Sequence, residues 1–81
     1  MVHDFTLVYA LNLEESQDEV LRRLVGSDCA DATVGWGRPG HVALAFSREA
    51  LDGDAAVALA VAQMAQVLPD ALLVRTDARL P

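Results

Sequence analysis

Gly35-Trp36-Gly37-Arg38-Pro39-Gly40-His41 decides the fold, because its first six residues fit the pattern G-x-G-x-x-G. In a dinucleotide-binding unit such glycines turn a strand into a helix whose N-terminal amides face a pyrophosphate. The residues after Gly40 argue otherwise. His41-Val42-Ala43-Leu44-Ala45-Phe46 alternates without a helical stripe, and no βαβ unit of about 30 residues with its acidic residue follows. Pro39-Gly40 is turn chemistry: Pro sets φ near about −65° and Gly takes the positive φ of a type II turn. The stretch is expected to be a hairpin, and the chain to use no nucleotide cofactor.

Working outward, the hairpin joins two short strands, Ala32 to Trp36 and Val42 to Ser47. Val34 and Trp36 share one face of the first; Val42, Leu44 and Phe46 share one face of the second. Upstream, Phe5 to Leu11 alternates with Phe5, Leu7, Tyr9 and Leu11 on a core face. Ser16-Gln17-Asp18-Glu19 is a capping box, Val20, Leu21, Leu24 and Val25 follow at one-face helical spacing, and Gly26 suits the stop. Downstream, Asp52 suits the N-cap of a second helix that runs to about Leu68, where Pro69 ends it. Ala71 to Thr76 is a final strand, expected with Leu72 and Val74 inward.

The order is β-α-β-β-α-β, without linker or repeat, over a single domain spanning residues 1–81. A four-stranded antiparallel sheet with two helices on one face buries these stripes economically. Right-handed crossovers then place the first and third strands in the middle, the ferredoxin-like α+β arrangement.

The totals narrow the function classes. The formal net charge is −6, and the basic residues are six arginines, Arg22, Arg23, Arg38, Arg48, Arg75 and Arg79, dispersed along the chain. Nucleic-acid binding relies on clustered Lys and Arg at phosphates, so direct DNA contact by this chain is not expected, nor is an anionic membrane surface. One cysteine, Cys29, excludes an internal disulfide and a multi-cysteine zinc site. With no signal-peptide pattern and an apolar run only from Ala55 to Ala62, the expected location is cytoplasmic.

The second face of each strand carries the main functional suggestion. Thr6, Val8 and Ala10, Thr33, Gly35 and Gly37, His41, Ala43 and Ala45, and Leu73 and Arg75 fall there. The middle is small and apolar where a wet sheet face would be polar. Such a plane suits homodimerisation, and Val8, Ala10, Thr33, Gly35, Ala43, Ala45 and Leu73 are the expected dimer face. Gly35 and Gly37 suit a twisted or bulged edge, or a partner's close approach. The second helix has an inner stripe of Ala56, Val57, Ala60, Val61, Met64, Val67 and Leu68, yet Ala55, Ala58, Leu59, Ala62 and Ala65 leave its other side apolar too.

Candidates for chemistry are few. His3 and His41 fall near the starts of the central strands, read here as parallel, and Asp4 shares a face with His41, so an Asp4–His41 pair is the basis of a rival reading as a small dimeric enzyme. Arg48 and Arg75 are the candidate anion anchors. Asp28 and Asp31 suit turn and cap acceptors, and Cys29 a buried filler. No catalytic constellation, metal site or cofactor is expected.

From Cys29 to Val74 the chain resembles the N-terminal α+β domain of a group of small bacterial helix-turn-helix proteins. The resemblance is carried by Cys29-Ala30-Asp31-Ala32-Thr33-Val34-Gly35, Gly37-Arg38-Pro39-Gly40, Leu44-Ala45-Phe46-Ser47-Arg48-Glu49-Ala50 and Leu68-Pro69-Asp70-Ala71. It implies DNA-associated regulation with this domain as the sensing or dimerising half. Ala30 stands where the pattern tends to have a second aspartate, and Trp36 where it tends to have a smaller aliphatic. The sequence ends at Arg79-Leu80-Pro81, about where a DNA-reading segment would begin, so no DNA-contacting residue carries over. The expectation is a non-enzymatic dimerising regulatory or accessory domain that binds protein or a small effector.

Overall fold

The computed structural model describes residues 1–12 and 16–78; Arg79, counted above among the arginines, and the terminal Leu80-Pro81 lie outside them. The elements run β1 (Val2–Ala10), α1 (Gln17–Val25), β2 (Thr33–Gly35), β3 (His41–Glu49), α2 (Gly53–Val67) and β4 (Leu72–Ala78). One four-stranded antiparallel sheet has the order β2-β3-β1-β4. The fold is α+β, an open antiparallel sheet with two helices.

The hairpin forms as the turn chemistry requires. His41 donates its backbone N–H to the Arg38 carbonyl at 3.1 Å, and Gly40, at φ 71°, is the only described residue with positive φ. β3 returns beside β2 with Val34 opposite Leu44 and Gly35 opposite Ala43. No helix begins after Gly40, so the stretch lacks the strand-to-helix turn of a dinucleotide fingerprint. The turn is also tied to β1, because Leu11 donates to the Gly40 carbonyl at 2.7 Å. β2 is shorter than expected: Trp36 and Gly37 lie beyond it in the loop. A Cβ on Gly35 would meet only the Ala43 side chain at 3.9 Å, and one on Gly37 nothing within 4 Å, so packing demands neither glycine.

The central pair is longer than the sequence pattern suggests. β1 and β3 pair along their whole length, from Val2 opposite Glu49 to Ala10 opposite His41. Phe5, Leu7 and Tyr9 meet Val42, Leu44 and Phe46 on one face, all buried, with Phe5 and Phe46 stacked at 5.3 Å between ring centres. Val20 and Leu24 of α1, and Ala56, Ala60, Met64 and Val67 of α2, complete the same cluster. Both helices therefore cover that face, and each fully buried Leu or Val contributes about 1.5–3 kcal/mol.

Both helix starts follow their caps. Ser16 Oγ accepts from the Glu19 amide at 3.2 Å, and Asp52 Oδ1 accepts from the Ala55 amide at 2.7 Å. The Glu19 carboxylate, expected to reach back to the cap, is held by Arg22 at 2.9 Å and Arg23 at 3.3 Å. Gly26 ends α1 at φ −89°, outside the left-handed region expected of a glycine stop.

β4 corrects the sequence reading. Its register on β1 shifts between Val8 and Tyr9: Val8 faces Arg75 while Tyr9 faces Leu73, so Val74 is an extra residue. A bulge reverses side-chain parity across itself. Leu73 accordingly turns to the core beside Tyr9, whereas Leu72, opposite Ala10, is 67 % exposed. Strict alternation had put Leu72 inward and Leu73 on the open face.

Candidate functional site: the open face and the Arg48 clasp

The face away from the helices is ordered in rows across the strands. Asp77, Thr6, Ala45 and Thr33 form one row; Arg75, Val8, Ala43 and Gly35 form the next; Leu72, Ala10 and His41 form a third. Of the expected dimer face, Val8, Ala10, Thr33, Gly35, Ala43 and Ala45 do come together. Leu73 does not, and Leu72 takes its place. The resulting plane is smooth because Val8, Ala10, Ala43 and Ala45 end at methyl groups and Gly35 at a hydrogen, with the hydroxyls of Thr6 and Thr33 on either side of Ala45. Its charged groups lie at the β4 border, where Arg75 Nη2 and Asp77 Oδ2 are 2.7 Å apart, and at the lower end, where Ser47 donates to Asp4.

The Asp4–His41 pair does not exist. β1 and β3 are antiparallel, so Asp4 sits opposite Ser47 and His41 opposite Ala10. Six residue steps along a strand separate them by about 20 Å. His3 and His41 are parted for the same reason. His41 Nδ1 lies 2.9 Å from the Pro39 carbonyl, beside the turn. His3 lies on the helix side, its Nδ1 facing Gly53 at the start of α2, and its Nε2 is buried without a hydrogen-bond partner. A hollow of about 490 Å³ opens at the lower end of the open face, lined by Asp4, Thr6, Thr33, Ala45, Ser47 and Asp77. His41 is remote from it, so the two residues of the proposed acid–base pair share no pocket. Among the described residues, no group of three or more His, Cys, Asp or Glu could hold a metal ion.

Arg48 has a different role from the anion anchor expected of it. By parity it points to the helix side with Phe46, whereas Arg75 lies on the opposite face and on another strand, so the two form no common site. The Arg48 guanidinium lies 4.6 Å above the Phe46 ring centre. Its Nε and Nη2 donate to the two carboxylate oxygens of Asp31 at 3.1 and 3.0 Å, and Nη2 also donates to the Asp28 carbonyl at 3.1 Å. Its Nη1 donates to the Gln63 side chain on α2. One side chain thus clasps β3, the loop after α1, and α2. The fork geometry of a guanidinium suits this task, which a lysine's point charge could not match.

The electrostatics follow. Hydrogen bonds from Arg48 hold the Asp31 carboxyl below its ordinary range. Burial opposes the charge of Arg48, but the bonds and charge of Asp31 outweigh it and raise the guanidinium pKa further. Burial raises the Cys29 thiol despite the opposing influence of Arg48. Cys29 is fully enclosed, its amide held by Ser27 Oγ at 3.1 Å, while Ser27 Oγ donates to the Leu24 carbonyl at 2.7 Å. A buried thiol with a raised pKa is a packing group, since the nucleophile is the exposed thiolate. Tyr9 is raised too, by burial first and by Cys29 second.

The clasp was missed at sequence level, where Asp31 was read as a turn or cap acceptor. A signal was present: Arg48 is two residues beyond Phe46 and shares its inward parity, so its donors need buried acceptors.

A second apolar surface lies on the helices. Leu59 is 56 % exposed and Val25 77 %, and Ala55, Ala58, Ala62 and Ala65 are exposed beside Leu59 on α2. Among the described residues no helix is long and apolar enough to cross a membrane. The chain matches no protein-family model, no curated protein and no solved structure.

Proposed function

We propose that this chain is a non-enzymatic, dimerising regulatory or accessory domain whose open sheet face docks on the same face of a second copy. The observation that carries the proposal is the row structure of that face. Gly35, Ala43, Val8, Ala45 and Ala10 form a plane with no lysine and no glutamate, and charge is confined to its border. Removing the central residues of such a plane from water costs little desolvation, since Gly35, Ala43, Val8, Ala45 and Ala10 have no polar side-chain atoms. The β-α-β-β-α-β order, with β1 and β3 in the middle of the sheet, supports the finer ferredoxin-like description. The resemblance to the N-terminal domain of helix-turn-helix proteins supports a place as the sensing half of a DNA-associated regulator, with a protein or small effector as its signal. On that reading the dispersed arginines leave direct DNA contact to another segment.

The test is the mass in solution. The protomer is 8.7 kDa, and the parent chain is expected at a multiple of that mass. Ala43→Arg places a charge in the central row and is expected to reduce the multiple, with the fold retained by circular dichroism. A parent whose mass is unchanged by Ala43→Arg would remove the face as an interface. In the enzyme alternative, the pocket on the open face is the hollow beside Asp4. Turnover abolished by Asp4→Asn would favour it.

A further inference from the structure

We propose that β4 is a self-recognition strand, pairing antiparallel with β4 of a second copy about a two-fold axis at Thr76. The sheet has two borders, and they differ. β2, at one border, is three residues long and runs into the glycine-rich loop, so it offers little backbone to a neighbour. β4, at the other, extends over seven residues with β1 as its sheet neighbour among the described residues. Alternate N–H and C=O groups on its outer side are left to pair with another extended strand. Border strands are commonly protected by lysine or proline. Leu72–Ala78 contains neither; its bulge at Val74 leaves Arg75–Ala78 as the regular stretch, and every residue of the strand except Leu73 is exposed.

The sequence of β4 is complementary to itself. Antiparallel pairing centred on Thr76 sets Arg75 opposite Asp77 of the second copy, and Asp77 opposite Arg75 of the second copy. Val74 falls opposite Ala78, and Thr76 opposite Thr76. Directly opposed residues in an antiparallel pair share a face, so each charge meets its opposite, and threonine pairs are favourable at such positions. The two Arg75–Asp77 contacts of the separate copies, one within each strand, would be exchanged for two between strands. Moving the two-fold axis by one residue opposes Arg75 to Arg75 or Asp77 to Asp77, and a one-residue slip leaves both charges opposite neutral residues, so the charges favour this register.

This contact is separate from the face proposed above and complements it. Four strands of these lengths present a plane of about 450 Å². That is below the roughly 800 Å² per partner of a standard interface, so the face by itself suits only a weak dimer. Pairing at β4 joins two sheets into one of eight strands and doubles the continuous plane available for face packing. A two-fold at the border and a two-fold in the plane can combine in a closed tetramer.

The experiment is sedimentation of the full chain and its charge variants, with amide hydrogen exchange across a concentration series. Arg75→Asp and Asp77→Arg each set like charges opposite one another twice, and each is expected to weaken association at least about tenfold. The double variant Arg75→Asp with Asp77→Arg is expected to restore it. Amides of Val74–Ala78 are expected to become protected as concentration rises. Ala43→Arg is expected to leave β4 pairing intact, so loss of one contact is distinguishable from loss of the other. Single variants with the parent's mass, a double variant as weak as the singles, or β4 amides whose exchange ignores concentration would each overturn the proposal. So would a monomeric parent, the result expected if β4 instead receives an extended peptide of another protein.

Discussion

Replacing Arg48 with alanine tests how much of this small fold depends on one clasp. The guanidinium over Phe46 at 4.6 Å is worth about 0.5–1 kcal/mol. The two-pronged contact with Asp31 is discounted, because that carboxylate is 46 % exposed and recovers water when abandoned; about 0.5–1 kcal/mol is appropriate. The Asp28 carbonyl and the Gln63 amide oxygen lose a charged donor, together about 1–2 kcal/mol. The expected loss is therefore about 2–4 kcal/mol. A domain of this length has a total stability of about 4–12 kcal/mol, so the variant loses a large share of it. Each kcal/mol lowers the midpoint by about 4–8 °C, which predicts a fall of at least about 8 °C. Urea unfolding at fixed protein concentration, followed by fluorescence of the single tryptophan, Trp36, measures the loss. Arg48→Lys keeps the charge but not the fork and is expected to fall between parent and Arg48→Ala. A loss below about 0.5 kcal/mol for Arg48→Ala would refute the clasp as a stabilising element.

Two further outcomes follow from the same geometry. Gly40→Ala has free space around the added methyl but keeps φ at 71°, so it is expected to cost about 1–2 kcal/mol, whereas Gly37→Ala, in open space without positive φ, stays near parent; thermal midpoints compare them. The folded Asp31 pKa is depressed by Arg48, so its contribution is fully present above the unfolded value of about 3.9 and is lost progressively as pH falls from there through the lower folded pKa. Urea midpoints between pH 5.5 and 3 are therefore expected to fall more steeply for the parent than for Asp31→Asn, and parallel curves would contradict the pairing.

The hairpin at Pro39-Gly40, the caps at Ser16 and Asp52, and the alternation of Phe5, Leu7, Tyr9 and of Val42, Leu44, Phe46 were all legible in the sequence. Each depends on neighbours a few residues apart: a ring that sets φ, a residue free to take positive φ, a side chain that reaches the third amide on. The small-residue plane was legible for the same reason, since parity along a strand is local. Which strands lie beside one another, and in which direction, is not a local property. Asp4 and His41 shared a parity, but the antiparallel return of β3 put them at opposite ends of the sheet. The bulge at Val74 arises where β4 meets β1, so the exchange of Leu72 and Leu73 between faces could not be read from β4 alone. The Arg48 clasp likewise gathers Asp28, Asp31 and Gln63 from segments 15 to 20 residues away, and only the packed chain brings them to one guanidinium. Short-range sterics and capping thus specified the elements of this protein, while pairing register and long-range satisfaction of buried donors decided its site.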